Sequence, residues 1–438
     1  MGFIENDLLS VLIILAAMVL FALEKIPIAL TAIITSLAMG VLGVMPLTSV
    51  YVGFSSTLFV MVFGMLIIGD CLFATGLVKG IGQWLSRSRL MQNELLLLLV
   101  LMCFAGVTSA FLSNTAVMAT MIPLVTALAL TSGGRIKRRY LLMGLGMATS
   151  IGGTATLVGS TAQLMSQSIL QSTDGVREMT FFELGYVVVP LFVLLLLYFV
   201  VFGYRWQKKV FTFPEEAEPV LDGLPEPILD ADEGFKWTPK MMVAAGVMVF
   251  CIVGFVTGLW NIAIVALVGA SVCLVAGCKP FKKTMADLDW NTLILLAAAQ
   301  GFAVGLDVSG GGKLLASWAL MLGGAEAPSP LLLLALGTFI AVFLTNIMSN
   351  TAVAAMLVPI YINIAFQLGY DPLIFVLAIT IGASASIATP IASSPMSMIL
   401  VGGYRFNDYL KVGLPITIIL MLATIFLSPL MYGGFKLL

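Results

Sequence analysis

Long apolar runs, separated by short polar segments, make up most of this chain of 438 residues. A membrane-spanning helix needs roughly 20 predominantly apolar residues, so runs of this kind predict membrane helices. Ten runs of spanning or near-spanning length are found, at about 8–23, 26–45, 52–78, 140–170, 183–204, 241–258, 260–278, 289–306, 372–400 and 412–432. The pattern predicts an all-α polytopic membrane protein with about ten transmembrane helices.

Two further apolar blocks, 93–131 and 330–368, are each interrupted at the centre by the tripeptide Ser-Asn-Thr. The pentapeptide Ser-Asn-Thr-Ala-Val occurs in both, at Ser113–Val117 and at Ser349–Val353. Polar groups are costly in hydrocarbon unless they form hydrogen bonds or bind a ligand. We therefore predict two re-entrant helical hairpins whose polar tips meet at one binding site shared by two halves of the chain.

A second pair of breaks lies after each hairpin, within 140–170 and 372–400. The first is rich in glycine and hydroxyl residues (151–163), and the second in serine and proline (385–396). Unwound backbone at membrane depth is tolerated where it lines a site or is packed within protein, so both segments are predicted to be broken helices. The alternative interpretation is that the glycines only allow close helix packing.

The halves are nearly equal in length, with residues 1–205 and 241–438 as candidate repeats. The segment 206–240 between them is rich in proline and acidic residues and is predicted to be a cytoplasmic linker. If each hairpin enters and leaves on one side, each half crosses the membrane five times. An odd number of crossings makes the two repeats inverted relative to each other.

Loop charges give an orientation for this arrangement. With the N-terminus outside, 18 of the 21 basic residues fall in inside loops: Lys25, Lys79, Arg87, Arg89, Arg135, Lys137, Arg138, Arg139, Arg205, Lys208, Lys209, Lys236, Lys240, Lys279, Lys282, Lys283, Arg405 and Lys411. Basic residues favour cytoplasmic loops. Both termini are therefore predicted to be extracytoplasmic.

Composition narrows the function. Hydrophobic residues make up 60% of the chain and charged residues 10%, with a mean hydropathy of +1.10, which excludes a soluble protein. The chain has no histidine, so metal sites and general bases that depend on histidine are excluded. A net charge of −1 with local loop charges gives no reason to expect a nucleic-acid partner. A membrane enzyme or an anion channel are lesser alternatives to a transporter, and we predict that the protein is not an enzyme.

The repeated tripeptide suggests the chemistry of the site. Ser, Asn and Thr favour helix N-caps, so the positive end of the second helix of each hairpin would face the membrane midplane. Two such ends make an anion site without Lys or Arg, and the neutral oxygens beside them suit Na⁺. The alternative is that Ser-Asn-Thr only caps a kink or forms hydrogen bonds between helices.

The paired Ser-Asn-Thr motifs, the Gly-Gly-Thr-x-Thr-Leu-Val-Gly-Ser segment from Gly152 and the Val412–Pro415 segment resemble the divalent anion/sodium symporter family, in the ion transporter superfamily. The resemblance covers nearly the whole chain. It implies homodimers in the cell (inner) membrane, with an elevator mechanism in which hairpins and broken helices move.

The resemblance also implies site residues. The first Na⁺ site would use Ser109, Ser113, Asn114 and the backbone of Gly159. The second would use Thr345, the backbone of Met348, Asn350 and the backbone of Ala392. The anion would meet Ser113, Asn114, Thr115, Ser160, Ser349, Asn350, Thr351 and Ser393.

The expected function is Na⁺-coupled symport of a small divalent anion, with a C4-dicarboxylate such as succinate or malate as the leading cargo. The family usually has Gly-Thr/Ser-Pro-Pro-Asn after each broken helix, whereas this chain has 159–163 Gly-Ser-Thr-Ala-Gln and 392–396 Ala-Ser-Ser-Pro-Met. These differences bear mainly on the anion. Transport of sulfate or another oxyanion, or Na⁺-independent dicarboxylate exchange, is the alternative on the same fold.

Two acids, Asp70 and Asp307, are predicted to lie inside spanning segments. Intramembrane carboxylates are expensive and are often functional, so either could couple transport to protons or cations. The alternative is a hydrogen-bonded residue near a helix end, since glycine follows each acid closely.

Overall fold

The structure is a computed structural model that describes residues 5–23, 25–77, 92–132, 134–213, 237–322, 329–391 and 393–437. Most of the predicted linker, 214–236, lies outside the described residues. So do Ala392 of the second predicted Na⁺ site and four of the basic residues used for orientation, Lys79, Arg87, Arg89 and Lys236.

The first half of the chain forms nine described α-helices. They are α1 Asn6–Leu23, α2 Ile28–Val41, α3 Thr57–Ala74, α4 Glu94–Ser109, α5 Asn114–Thr131, α6 Arg138–Gly152, α7 Thr161–Gln171, α8 Gly185–Tyr198 and α9 Tyr204–Val210. A 3₁₀ segment, Leu47–Ser55, precedes α3, and a second one, Gly153–Ala155, follows α6. A π-helical turn, Phe199–Gly203, joins α8 to α9.

The second half forms ten described α-helices. They are α10 Pro239–Thr257, α11 Ile262–Val275, α12 Phe281–Asp287, α13 Trp290–Val308, α14 Gly311–Leu322, α15 Pro330–Thr345, α16 Asn350–Gln367, α17 Leu373–Ser384, α18 Ser394–Met398 and α19 Phe406–Met431. A 3₁₀ segment, Ile399–Gly402, follows α18. We call α4 and α5 the first hairpin, and α15 and α16 the second hairpin.

The predicted all-α class is confirmed. The described residues contain helices and one isolated antiparallel bridge, between Tyr370 and Leu437. Among the described residues, six helical segments are long and apolar enough to cross a membrane, and seven more helices contain shorter apolar stretches of 10–17 residues. Large apolar side chains such as Val275, Leu259 and Leu430 remain exposed, as expected of surfaces that face lipid.

A cluster of polar contacts fixes the base of the first hairpin. Glu94, at the start of α4, accepts hydrogen bonds from the Lys137 N–H at 2.7 Å and from the Tyr204 hydroxyl at 2.6 Å. Lys208 lies 3.0 Å from the same carboxylate. Trp206, in the same helix as Lys208, donates to the Lys411 carbonyl at 2.9 Å, so this base lies beside the start of α19. We call this end of the molecule the basic end.

The base of the second hairpin lies at the other end of α19. There the Tyr432 hydroxyl donates to the Glu183 carbonyl at 2.7 Å, and the Asp371 N–H donates to the Lys436 carbonyl at 2.9 Å. Because α19 has 26 residues, it is about 39 Å long, roughly the thickness of a bilayer. The two hairpins therefore enter from opposite ends of the molecule.

Glu183 forms an ion pair at this far end. Its side chain is only 5% exposed, and Arg177 Nη1 donates to its Oε2 at 2.9 Å. Burial alone would raise the pKa of Glu183, but the Arg177 guanidinium and the Thr180 N–H hold that pKa below its usual value. The ionised pair thus fixes the fold of the loop before α8, and the hydrogen bond from Tyr432 joins that loop to the turn after α19.

Candidate functional site

Each Ser-Asn-Thr tripeptide lies where the second helix of its hairpin begins. Ser113 is the N-cap of α5, and its hydroxyl accepts a hydrogen bond from the Ala116 N–H at 3.2 Å. Ser349 caps α16 in the same way, accepting from the Ala352 N–H at 3.3 Å. The positive ends of both helix dipoles therefore lie at the hairpin tips.

Both tips open into one cavity of about 560 Å³. Small-molecule sites commonly enclose about 300–1,000 Å³, so this cavity has room for an organic anion. The structure brings together at this cavity all eight residues predicted to meet the anion: Ser113, Asn114, Thr115, Ser160, Ser349, Asn350, Thr351 and Ser393. Gly159, predicted for the first Na⁺ site, also lines it.

The broken helices contribute to the same cavity and cross to the opposite hairpin. The Thr115 hydroxyl, on the first hairpin, donates to Ser394 Oγ at 3.0 Å. Thr351, on the second hairpin, forms the matching hydroxyl contact with Thr161. Thr161 and Ser394 occupy equivalent places, since each is the first residue of the helix that follows its break, α7 and α18 respectively. Sequence analysis placed both in the segments that bear on the identity of the anion but did not select them as site residues, although each directly follows a selected serine.

The rest of the cavity lining comes from α2, α3 and the start of α13. It includes the apolar side chains of Ile28, Val62 and Leu66, together with Asp289 and Thr292. Asp289 is occupied as the N-cap of α13, because its carboxylate accepts from the Thr292 N–H at 3.2 Å and from the Thr292 hydroxyl at 2.6 Å. None of the described residues that line this cavity is basic. Any anion bound here needs its charge balanced by helix ends or by co-bound cations.

Buried oxygens collect beside the first hairpin tip. Ser109, at the end of α4, is fully buried, and its hydroxyl donates to Asn114 Oδ1. Glycine is required beside them, since a Cβ on Gly153 would lie 2.1 Å from Asn114 Oδ1. A Cβ on Gly159 would lie 2.0 Å from the Gly153 carbonyl oxygen and 2.6 Å from that of Ser109. The break in the first broken helix thus brings backbone carbonyls against the Ser109–Asn114 pair.

The second hairpin tip has the same arrangement. Thr345, fully buried at the end of α15, donates to Asn350 Oδ1 at 2.8 Å and also touches the Ala383 carbonyl oxygen. Ser386 donates to the same Asn350 oxygen at 2.8 Å. Met348 is buried in the turn that precedes Ser349.

Three oxygens crowd together at this second tip. The Thr345 hydroxyl has one proton but lies against two acceptor oxygens, those of Asn350 and Ala383, which can share it. The second tip therefore gathers neutral oxygens, as the first one does.

Threonines fasten each broken helix to its hairpin. Thr156 donates to the carbonyl oxygen of Ala110, in the first hairpin turn. Thr389 donates to the carbonyl oxygen of Asn346 at 2.7 Å in the equivalent turn.

Sequence analysis missed both Thr389 and Ser386. An alignment of the two breaks that matches Thr161 with Ser394 would have paired Thr156 with Thr389. The same alignment pairs Ser386 with Gly153, which has no side chain, so the repeat gives no signal for Ser386.

Asp70, on α3, is an ion-paired residue. Lys279 Nζ lies 2.6 Å from its Oδ2 and 2.7 Å from Asp287 Oδ2. The Lys279 side chain is 8% exposed, so removing either acid would leave a buried charge less well compensated. This pairing matches the hydrogen-bonded alternative for Asp70. Asp307 lies in the last turn of α13, next to a helix end.

Family comparison agrees with the motif resemblance. The model of the citrate transporter family matches residues 18–382, most of the chain. Among the relatives, the sodium-dependent dicarboxylate transporter SdcS of Staphylococcus saprophyticus is 24% identical over 77% of this chain and 70% of its own length.

Several relatives are uncharacterized transporters. One from Haemophilus influenzae is 29% identical over 90% of this chain and 85% of its own length. One from Synechocystis is 32% identical, but the match covers 44% of this chain and 31% of that protein. A third, YfbS of Escherichia coli, is matched over 34% of its length. The chain thus spans about a third of the length of these last two relatives.

Solved structures of transporters share the fold. The YdaH transporter of Alcanivorax borkumensis superposes with a TM-score of 0.61 at 18% identity, over 90% of this chain and 87% of that one. MtrF of Neisseria gonorrhoeae, from a class of antimetabolite efflux pumps, gives a TM-score of 0.60 at 18% identity, over 98% and 95%. The matched family model agrees with the polytopic all-α membrane fold and with the paired hairpin tips at one cavity. The chain therefore belongs to the citrate transporter family of the ion transporter superfamily, as its resemblance to divalent anion/sodium symporters predicted.

Proposed function

We propose that this membrane transporter carries a small divalent anion together with Na⁺, and that a C4-dicarboxylate such as succinate or malate is its main cargo. One observation carries the proposal. Both Ser-Asn-Thr tips and both helix breaks meet at a single cavity that has hydroxyl, amide and helix-end groups but no basic side chain among its described lining residues. Relatives that match a large part of this chain include a sodium-dependent dicarboxylate transporter.

The lining chemistry supports a dianion that arrives with cations. Hydroxyl groups and backbone N–H groups can donate to carboxylate oxygens, and the N-terminal ends of α5 and α16 favour negative charge. Helix ends each supply only about half a charge. Na⁺ ions at the two oxygen clusters, around Asn114 and Asn350, would balance the rest.

We assign the first Na⁺ site to Ser109, Ser113, Asn114 and the backbone of Gly159. The second is assigned to Thr345, Asn350 and the backbones of Met348 and Ala392, with Ser386 added because it donates to the same Asn350 oxygen. The anion would contact the tip residues Asn114, Thr115, Asn350 and Thr351, with Ser113, Ser160, Ser349 and Ser393 around them.

The cavity walls are consistent with an elevator mechanism. One wall is polar and comes from the hairpins and broken helices, while the other is largely apolar and comes from α2, α3 and α13. We infer that the polar wall moves with its cargo along the apolar wall. We also infer that the two repeats are inverted relative to each other and that the protein forms a homodimer in the cell membrane. The opposite entry of the two hairpins supports the inverted relation.

Uptake by the purified full-length protein in liposomes tests the function. With an inward Na⁺ gradient, labelled succinate should accumulate, and replacing Na⁺ with K⁺ should abolish uptake. Asn114→Ala and Asn350→Ala should each reduce Na⁺-driven uptake at least tenfold, because each loses an oxygen shared by the cation and anion sites. Ser56→Ala is the control for losing a polar side chain at the start of a helix: Ser56 is the N-cap of α3 but does not line the cavity, so uptake should persist.

Competition and counterflow separate the alternatives. If sulfate blocks succinate uptake and is itself transported, the cargo is an oxyanion rather than a dicarboxylate. Succinate exchange that proceeds equally in K⁺, with both asparagine variants active, would contradict Na⁺ coupling.

A further inference from the structure

Gln163 is a polar side chain buried without a full set of partners. It lies in the first turn of α7 and is fully buried. Its Nε2 donates to the Gly153 carbonyl oxygen at 3.3 Å, while its Oε1 has no hydrogen-bond donor among the described residues. A carbonyl can only accept, so the amide nitrogen must face Gly153 and the oxygen is left over.

Such an oxygen is expensive unless something binds it. A buried acceptor without a partner costs about 1–3 kcal/mol. Gln163 lies against the carbonyl oxygen of Gly153, which adjoins Gly159, and the Cα of the same Gly153 faces Asn114. The unpartnered oxygen therefore belongs to the region where the oxygens of the first hairpin tip collect.

The second half shows what this oxygen replaces. In the alignment of the two breaks that matches Thr161 with Ser394, Gly153 corresponds to Ser386 and Gln163 to Met396. Ser386 supplies a hydroxyl oxygen to Asn350, and Met396, fully buried, has a thioether that a hard cation does not prefer. Each half thus has one additional polar side chain, but at different positions.

Local sterics explain the exchange. A Cβ at position 153 would lie 2.1 Å from Asn114 Oδ1, so the first half cannot use a serine there. An oxygen can then reach this cluster only from another element. Gln163, in the first turn of α7, is long enough to do so.

We propose that Gln163 is a further ligand of the first Na⁺ site, supplying Oε1 directly or through one water, in the place that Ser386 occupies at the second site. The inference rests on the proposed Na⁺-coupled function. It makes the two sites chemically unequal: the first depends on a carboxamide at position 163, and the second does not depend on position 396.

Thermal unfolding of the purified full-length protein over a series of Na⁺ concentrations, at constant ionic strength with K⁺, tests this assignment. A ligand that binds only the folded state raises its stability by mass action, so the midpoint of the Na⁺ response reports affinity. Gln163→Met, which places the second half's residue in the first, should raise this midpoint at least tenfold. Met396→Gln is the reciprocal control and should change it less than twofold.

Gln163→Glu provides an independent readout. A carboxylate beside the ion should lower the Na⁺ midpoint at high pH and raise it as the pH falls and the group is protonated. The unsubstituted protein should show no such dependence over the same range. A Gln163→Glu response that stays independent of pH would overturn the assignment.

Two other outcomes are distinguishable. If Gln163→Met lowers the melting temperature equally in Na⁺ and K⁺ and leaves the midpoint unchanged, Gln163 only supports the Gly153 backbone and the inference is wrong. If the unsubstituted protein gains no stability from Na⁺, the proposed Na⁺ coupling fails, and the site that Gln163 completes fails with it.

Discussion

A single hydroxyl group at the end of the first helix of each hairpin contacts the asparagine at the tip. Ser109 and Thr345 occupy equivalent positions, and each donates to the asparagine that begins the next helix. Sequence analysis found both residues through the family resemblance. It could not find that the Thr345 hydroxyl also touches the Ala383 carbonyl, because that contact joins a hairpin to the last turn of α17, 38 residues later in the chain.

Replacing Thr345 isolates the contribution of this hydroxyl. Thr345→Val keeps the shape of the side chain but removes its oxygen, and a buried polar group that loses its partner costs about 1–3 kcal/mol. The Na⁺ concentration for half-maximal uptake should therefore rise about tenfold or more. Thr345→Ser retains the hydroxyl and should remain near the unsubstituted value. Equal Na⁺ dependence in the Val and Ser variants would exclude this oxygen from the site.

Helix breaks are the elements that local composition signals most directly. Glycine in one half and proline in the other predicted interruptions within 140–170 and 372–400, and irregular backbone separates α6 from α7 and α17 from α18 in those ranges. Their partners could not be predicted, because the contact of Thr115 with Ser394 depends on how the halves pack. The repeat does not reveal the equivalence of Thr161 and Ser394 either. An alignment that matches Ser113 with Ser349 places Thr161 opposite Ser397 rather than Ser394.

Gly159 tests whether the first break must stay closely packed. In Gly159→Ala the new Cβ would lie 2.0 Å and 2.6 Å from two backbone carbonyl oxygens, neither of which can rotate away. The variant should lose about 1–3 kcal/mol of stability and its response to Na⁺. The measurement is thermal unfolding in detergent with and without Na⁺.

Gly246 is the matched control. It lies in α10, where an added Cβ would meet nothing within 4 Å. Gly246→Ala should therefore be neutral, or stabilising by up to about 1 kcal/mol through helix propensity. If both alanine variants kept full stability and the Na⁺ response, the packing of carbonyls around Gly159 would not be needed.

The whole molecule has two ends, each built from loops that lie far apart in the sequence. The basic end gathers the base of the first hairpin, α9 and the start of α19, whereas the far end holds the base of the second hairpin and the turn after α19. Loop charge predicted from the sequence which loops face the cytoplasm. It could not show that contacts between distant loops, such as Trp206 with Lys411, hold each end together.

Because basic loops favour the cytoplasm, the basic end should face the cell interior and both chain termini the exterior. Single cysteines at two exposed positions of the same terminal region test this orientation: Lys411→Cys, near the start of α19, and Lys436→Cys, after its end. A membrane-impermeant thiol reagent added to intact cells should label position 436 at once and position 411 only after the membrane is permeabilised.

The unsubstituted protein, with its five native cysteines, gives the background labelling. Four of these are buried, and the exposed one, Cys103, lies within α4. The reverse labelling order would show the opposite orientation, with the two hairpins entering from the opposite sides. Equal labelling of both positions in intact cells would contradict the passage of α19 through the membrane.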